Sequence, residues 1–196
     1  MEGWLNFFRF FEHQSVTPVD DLIYSVHSGV IKITDLVLKQ YGQLPHEGLV
    51  FWAGNISENI FNITHVIAPE TESSEGRVTV PHSSIYHVVK ALSNNKVIHI
   101  GQIHTHPGNW VDHSRGDDEW APFKRPGLIS LVVPNYCSSG MLPLKKNGIH
   151  RYQENQFIGL SNKYIRRHFI VVEGEAHFTD LRDKENIRWK QLSGTD

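Results

Sequence analysis

The sequence predicts an α/β (α+β) domain in which a mixed β-sheet is flanked by helices. Apolar runs of strand length are interspersed with segments of helical periodicity, without the strict alternation of a doubly wound fold. The chain has 196 residues, of which 39% are hydrophobic and 20% are charged. That length and composition suit one globular domain with a sizeable core, which we assign to residues 21–196.

The first twenty residues stand apart from this domain. Four aromatic side chains are spaced as on one face of a helix, namely Trp4, Phe7, Phe8 and Phe11. This spacing predicts an N-terminal aromatic helix or extension over residues 1–20, either docked on the core or used as a dimer or partner surface. Thr17-Pro18 then breaks the segment.

Two helices and four strands are predicted in the first half of the domain. Residues 30–33 are expected to be extended, and Thr34 to cap a helix that runs to about Tyr41. Ser83 is expected to cap the second helix, which carries apolar residues at helical spacing. Residues 69–76 form a polar segment that indicates a hairpin loop. The predicted strands are 49–52, about 60–67, 78–80 and 97–104.

The second half begins with a long loop from Pro107 to about Ser114. Ser114 is suited to be a helix N-cap, with Asp117 at the third helical position. Three glycines mark turns further along, namely Gly140, Gly148 and Gly159. The apolar runs predict strands over 129–133, 149–152 and 168–172.

Composition limits the classes of function. The formal net charge of -2 argues against a broad basic surface for nucleic acid. The single cysteine, Cys137, rules out an intrachain disulfide and a thiolate-rich zinc cage. No apolar run is long enough to span a membrane, and the N-terminus lacks the pattern of a signal peptide. We therefore expect a cytoplasmic protein without nucleic-acid or membrane partners.

The segment His104-Thr105-His106-Pro107 is laid out like part of a metal site. With 13 histidines in the chain, a His-x-His pair alone is expected by chance, but the proline, Ser114 and Asp117 at their offsets are not. Side chains at i and i+2 of a strand point to one face, so both rings can reach one ion. Two imidazoles and one carboxylate, with a fourth position left to water, form the pattern of a catalytic zinc site. The opposing interpretation is that Asp117 only completes a capping box and that both histidines are surface residues.

A hydrolase also needs a general base. Glu47 precedes an apolar strand and is the best candidate among the carboxylates, whereas Asp118 and Glu119 are expected to face solvent. Ser114 is a candidate to stabilise the oxyanion of a tetrahedral intermediate. Two tryptophans flank the metal loop and are candidates for substrate binding, namely Trp110 and Trp120.

Taken together, these residues resemble the signature of the JAB/MPN (JAMM) metalloproteases: a glutamate, a later His-x-His-Pro, six residues, a serine, two residues and an aspartate. The flanking sequences Gly101-Gln102-Ile103 and 130–135 resemble the bacterial branch, whose members are often associated with ubiquitin-like conjugation systems, including antiphage defence operons. The resemblance covers about residues 22–152. Glu47 is followed here by Gly48-Leu49 rather than by a pair of small residues, and the segment 117–126 has no counterpart that we can match.

The resemblance implies a fold similar to that of cytidine deaminases and one Zn²⁺ per chain. By position, it implies that His104, His106 and Asp117 are ligands, that Glu47 is the general acid/base and that Ser114 stabilises the oxyanion. It further implies a metallo-isopeptidase or peptidase acting on ubiquitin or ubiquitin-like proteins in conjugates or precursors, with activating and conjugating enzymes of the same operon as partners.

Several alternatives stay open at this point. The same fold can serve as a catalytically inactive scaffold, or as a peptidase for a small sulfur-carrier protein. A DNA-repair branch carries a similar His-x-His-Pro signature, and the charge balance argues against it. A nucleobase deaminase would need a Pro-Cys-x-x-Cys motif, and an iron oxygenase orders its ligands differently.

Overall fold

A computed structural model describes residues 21–182 of the chain. The predicted aromatic helix over residues 1–20 lies outside the described residues. The mixed sheet with flanking helices confirms the predicted fold class. No helix between residues 21 and 182 is both long enough and apolar enough to cross a bilayer.

Four α-helices are present in the described residues: α1 (Ser28–Gly42), α2 (His82–Asn94), α3 (Arg115–Trp120) and α4 (Asn162–His168). The strands are β1 (Ile23–His27), β2 (Leu49–Ser57), β3 (Ile60–Ala68), β4 (Glu72–Ser74), β5 (Arg77–Thr79), β6 (Ile98–Thr105), β7 (Ile129–Val133), β8 (Gly148–Gln153), β9 (Gln156–Gly159), β10 (Phe169–Val172) and β11 (His177–Asp180).

The large sheet has the strand order β10-β1-β3-β2-β6-β7-β8-β9, with β11 added alongside β3. Strand β6 lies near its centre, antiparallel to β2 and parallel to β7. Strands β4 and β5 form a separate two-stranded hairpin. The central position of β6 means that the residues at its end are supported by strands on both sides.

Both faces of the sheet are covered at the first half of β2, where residues 49–53 are all apolar and buried. Val50 and Trp52 pack on the face covered by α1, whereas Leu49 and Phe51 pack on the face covered by α2. A strand buried on both faces reads as a continuous apolar run rather than an alternating one.

The prediction that residues 30–33 are extended is wrong, because these residues lie inside α1. Val30 and Ile31 are buried and begin the apolar face that continues to Tyr41. Thr34 is inside the helix rather than at its cap, and its hydroxyl accepts a hydrogen bond from Trp52 Nε1 at 2.8 Å. The helix therefore begins seven residues earlier than the capping argument placed it, with His27 rather than Thr34 at the N-cap.

Other boundaries shift for local reasons. Helix α2 begins at His82, and Pro81 rather than Ser83 holds the N-cap position. The segment predicted as a hairpin loop contributes β4, and the short strand that follows is β5. Strand β7 has the predicted bounds. Four short elements were not predicted from the sequence: β1, β9, β11 and α4.

Candidate metal centre

A cavity of about 480 Å³ opens on the α2 face of the sheet, where β6 ends. Its floor comes from β6, one wall from the β4–β5 hairpin and the opposite wall from the loop and helix that follow Pro107. All seven residues predicted for the site line this cavity: Glu47, His104, His106, Trp110, Ser114, Asp117 and Trp120.

Three of these side chains converge on one point. His104 Nε2 and His106 Nε2 lie 3.2 Å apart. Asp117 Oδ1 lies 3.3 Å from His104 Nε2, and Asp117 Oδ2 lies 3.4 Å from His106 Nε2. Both histidines are buried, and the Asp117 side chain is 18% exposed. Within residues 21–182, this trio forms the only cluster of three or more His, Cys, Asp or Glu donors close enough to share a metal ion.

The spacing fits a divalent metal. Ligand atoms about 2.0–2.1 Å from a tetrahedral ion lie roughly 3.3–3.4 Å from one another, close to the separations seen here. Burial opposes ionisation of Asp117, but the adjacent His104 and His106 rings hold its pKa well below its usual range. Asp117 is therefore an anion at neutral pH, as a metal ligand must be.

The histidines are held in place by the chain around β6. His106 donates its backbone N–H to the Val133 carbonyl, at the end of neighbouring strand β7. Its Nδ1 lies 3.1 Å from the Trp110 carbonyl oxygen, which can only accept a hydrogen bond. Nδ1 therefore carries the proton and Nε2 keeps its lone pair for a ligand role, as is usual for a metal-binding imidazole.

Asp117 is positioned by the start of α3. Ser114 is the N-cap, and its hydroxyl accepts a hydrogen bond from the Asp117 N–H at 3.1 Å. In return, Ser114 N donates to Asp117 Oδ2 at 2.6 Å, completing a capping box. The capping box and the metal-ligand interpretation were posed as alternatives, but they do not exclude each other, because the same carboxylate caps the helix and contacts both histidines.

Glu47 lines the same cavity, and two sets of hydrogen bonds hold its backbone in place. Gly48 exchanges hydrogen bonds with Thr105, the residue between the two histidines, at 2.9 and 3.1 Å. On its other side, Glu47 N donates to the Ser74 carbonyl of β4 at 2.8 Å, and Ser73 Oγ donates to the Glu47 carbonyl. A Cβ at position 48 would lie 2.7 Å from the Tyr41 ring, which explains glycine there.

The electrostatics of Glu47 suit a proton acceptor. Burial raises its pKa to about 7, an effect that the nearby His106 opposes and the Asp117 charge reinforces. A bound cation would lower that pKa by stabilising the carboxylate.

Both tryptophans have a second contact besides the cavity. The Trp110 ring stacks on His106 with centroids 5.0 Å apart. The Trp120 ring lies under the Arg77 guanidinium, whose Cζ is 4.1 Å from the ring centroid, so the pair joins α3 to the β4–β5 hairpin. Arg77 was not predicted from the sequence, because no motif links it to the distant Trp120.

Asp118 is partly exposed to solvent, as expected, but it also has a partner. It accepts a hydrogen bond from His113 Nδ1 at 2.8 Å, whereas Glu119 is exposed and pairs with Arg115 at 2.6 Å. Gln102 also lines the cavity and was not singled out from the sequence; its position two residues before His104 on the same strand face was the available signal.

No family model matches the chain. The chain is 34% identical over 104 residues to a "probable metalloprotease" of Sinorhizobium fredii, and the match covers 51% of this chain and 64% of that protein. The chain therefore spans slightly less than two thirds of this relative. A protein of Desulfitobacterium hafniense with a known solution structure has a similar fold, with a TM-score of 0.58 and 16% identity over 78% of this chain and 95% of that one.

Proposed function

We propose that this protein is a zinc-dependent peptidase of the JAMM type, which cleaves ubiquitin or ubiquitin-like proteins from conjugates or precursors. The convergence of His104, His106 and Asp117 on one point, beside the buried carboxyl of Glu47, is the observation that carries this proposal. The similarity to a "probable metalloprotease" supports the same class of reaction.

Each side chain is assigned one role. His104, His106 and Asp117 would hold the ion, which as a Lewis acid makes water nucleophilic near neutral pH. Glu47 takes the proton from the attacking water and passes it to the departing amine, a task suited to a buried carboxyl that lines the same cavity as the three ligands. The Ser114 hydroxyl oxygen accepts a hydrogen bond from the Asp117 N–H. Its own proton is therefore available to donate a hydrogen bond to the developing oxyanion.

The β4–β5 hairpin supports an extended polypeptide as substrate. Among the described residues, β5 pairs only with β4, and it lines the cavity from Arg77 to Thr79. The opposite edge of the hairpin is tied to Glu47 through Ser73 and Ser74. An extended C-terminal tail could therefore add to β5 by strand pairing and run towards the metal cluster.

The proposed substrates include small sulfur-carrier proteins, because a flexible C-terminal tail is what the cavity would accept. The proposal also includes activating and conjugating enzymes from the same operon as partners, and a role in antiphage defence. These parts rest only on the resemblance of the site motif. Neighbouring genes encoding such enzymes would support it.

The test is a cleavage panel. Zinc-loaded protein is incubated with linear C-terminal fusions and lysine-linked conjugates of ubiquitin and of sulfur-carrier proteins, and new termini are identified by mass spectrometry. Glu47→Gln should lower the rate by about 10²–10⁴-fold while zinc content stays unchanged, because base and ligands are separate groups. No cleavage of any panel member by the wild type would refute the proposal, and full activity of Glu47→Gln would refute the assigned base.

A further inference from the structure

A chain of polar groups, buried except at Asp118, lies beside the His104–His106–Asp117 cluster and ends in the cavity. It runs from Asp118 through His113 and Ser130 to Gln102, with contacts of 2.8, 2.8 and 3.2 Å. Ser130 is fully buried, and Gln102 and His113 are nearly so. Gln102 and Ser130 are register partners on the parallel strands β6 and β7, which places their side chains on one face.

The direction of each hydrogen bond follows from the Asp118 end. The Asp118 carboxylate can only accept, so His113 Nδ1 carries a proton. Burial lowers the pKa of His113 to about 4, which leaves the ring neutral and its Nε2 an acceptor. The Ser130 hydroxyl must then donate to His113 Nε2, and its oxygen is left to accept from Gln102 Nε2.

This order fixes which way the Gln102 amide is turned. Its nitrogen faces Ser130, and its oxygen is turned away from the polar chain. Gln102 Oε1 is buried and has no hydrogen-bond partner, although the side chain lines the cavity that holds the metal cluster. A buried amide oxygen without a partner is costly, because its desolvation is not compensated.

We infer that Gln102 is a substrate-orienting residue whose amide oxygen accepts a backbone N–H of the bound polypeptide. The inference rests on the proposed function, because it requires a peptide in this cavity. Gln102 precedes His104 by two residues, and a strand rises about 3.3 Å per residue, so the N–H belongs to a residue one or two positions from the scissile bond. Asp118, His113 and Ser130 are positioning residues that act through Gln102.

The test replaces one hydrogen-bond donor in the substrate and one acceptor in the protein. The panel substrate that the wild type binds most tightly is rebuilt by chemical ligation, with single ester bonds replacing successive amides of its tail. Gln102→Met keeps the side-chain length and removes the acceptor. Ser130→Ala keeps Gln102 and removes the group that orients it.

At one tail position, the ester should raise the wild-type KM about tenfold and leave the KM of Gln102→Met unchanged, as expected for one hydrogen bond. With the all-amide substrate, Gln102→Met should raise KM about tenfold. Ser130→Ala should raise KM by a smaller factor. The zinc content of both variants should equal that of the wild type. Equal ester effects in wild type and Gln102→Met at every position would overturn the inference, even if cleavage proceeds.

A binding arm separates this inference from the proposed function. The same amide and ester tails are titrated into Glu47→Gln protein, with and without Gln102→Met, by calorimetry. Gln102-dependent discrimination of one ester without cleavage by the wild type would refute the peptidase and uphold the role of Gln102. Cleavage by the wild type without Gln102-dependent discrimination of any ester would uphold the peptidase and refute the role of Gln102. Absence of binding to every tail would overturn both proposals.

Discussion

Two pairs of buried histidines lie side by side in this molecule, and they present their nitrogens differently. His104 and His106 direct their Nε2 atoms to one point at the cavity, together with Asp117. In the neighbouring pair, both nitrogens of His113 are in hydrogen bonds, and His150 Nε2 lies 3.6 Å from Asp112 Oδ1. The rings of His104 and His113 are only 6.0 Å apart.

The difference shows that a buried histidine is not for that reason alone available to bind a metal. A histidine is available to a metal when one nitrogen is anchored by an outer partner and the other keeps its lone pair towards open space. His106 meets this condition through the Trp110 carbonyl. His113 does not, because Asp118 and Ser130 occupy both sides of its ring.

Exchanging the neighbouring carboxylates for amides tests this contrast with the largest expected effect. Asp117→Asn keeps an acceptor for the capping box but loses the charge that faces the histidines, so we expect metal affinity to fall by more than about 100-fold and cleavage to be lost. The matched control, Asp118→Asn, should retain the metal. Calorimetry and elemental analysis measure both, and equal losses of metal would erase the distinction between the two clusters.

Two helix caps offer a second contrast between the site and the rest of the fold. Ser114 caps α3 and bonds to Asp117 of the candidate metal centre, whereas Ser161 caps α4 far along the chain by accepting a hydrogen bond from Tyr164 N at 3.2 Å. Either serine changed to alanine should lower the free energy of unfolding by about 1 kcal/mol.

Only Ser114→Ala should also lower kcat, by about 10²-fold, because it removes a donor to the oxyanion. Urea denaturation and steady-state kinetics separate the two effects. An unchanged kcat in Ser114→Ala would reduce its role to that of a helix cap.

A fifth buried histidine, His99, sharpens the comparison through pH. His99 packs between Phe51 and Phe123, and burial, reinforced by the charge of Arg125, lowers its pKa to about 3. Below the unfolded-state pKa of about 6.5, the unfolded chain takes up a proton that the folded chain does not. Stability from this group is therefore complete above about pH 6.5 and is lost as the pH falls towards 3.

Changing His99 to phenylalanine should remove this dependence. When the pH is lowered from about 7 to about 4.5, the free energy of unfolding should fall in both proteins. We expect this fall to be about 2–3 kcal/mol smaller in the variant than in the wild type. Urea denaturation at the two pH values measures it. The same acid sensitivity in both proteins would show that His99 is not a neutral group of the core.

The smallest effect is expected at the cavity mouth. Trp120→Ala removes the cation–π contact with Arg77 that joins α3 to the hairpin, and should raise KM about two- to fivefold without changing metal affinity. Trp110→Ala is the partner variant, and because its ring stacks on His106 it should weaken metal binding as well. Identical behaviour of the two variants would contradict their separate roles.

Features that depend on residues close together in the chain could be predicted from the sequence. The His104-x-His106 pair at a strand end and the Ser114–Asp117 cap follow from periods and caps that short segments impose on themselves. Strand β7 was bounded correctly because Pro134 and the apolar run mark it.

Features that depend on tertiary contacts were missed. The helix start before Val30 was missed because Thr34 bonds to Trp52 instead of capping. The polar chain that ends at Gln102 joins residues from α3, the loop before it, β7 and β6, and spacing along the sequence carries no sign of such contacts. Glu47 could be ranked among carboxylates but not placed, because its position depends on hydrogen bonds to Thr105 and the β4–β5 hairpin.

The central claim is that one metal ion is held by His104, His106 and Asp117 and not by the adjacent histidines. A crystal structure of zinc-loaded protein with anomalous data at the zinc edge tests it most directly. We expect one ion per chain, about 2.0–2.2 Å from Nε2 of both ligand histidines and from a carboxylate oxygen of Asp117. Zinc bound at His113 or His150, or an active protein without an anomalous peak at this cluster, would contradict it.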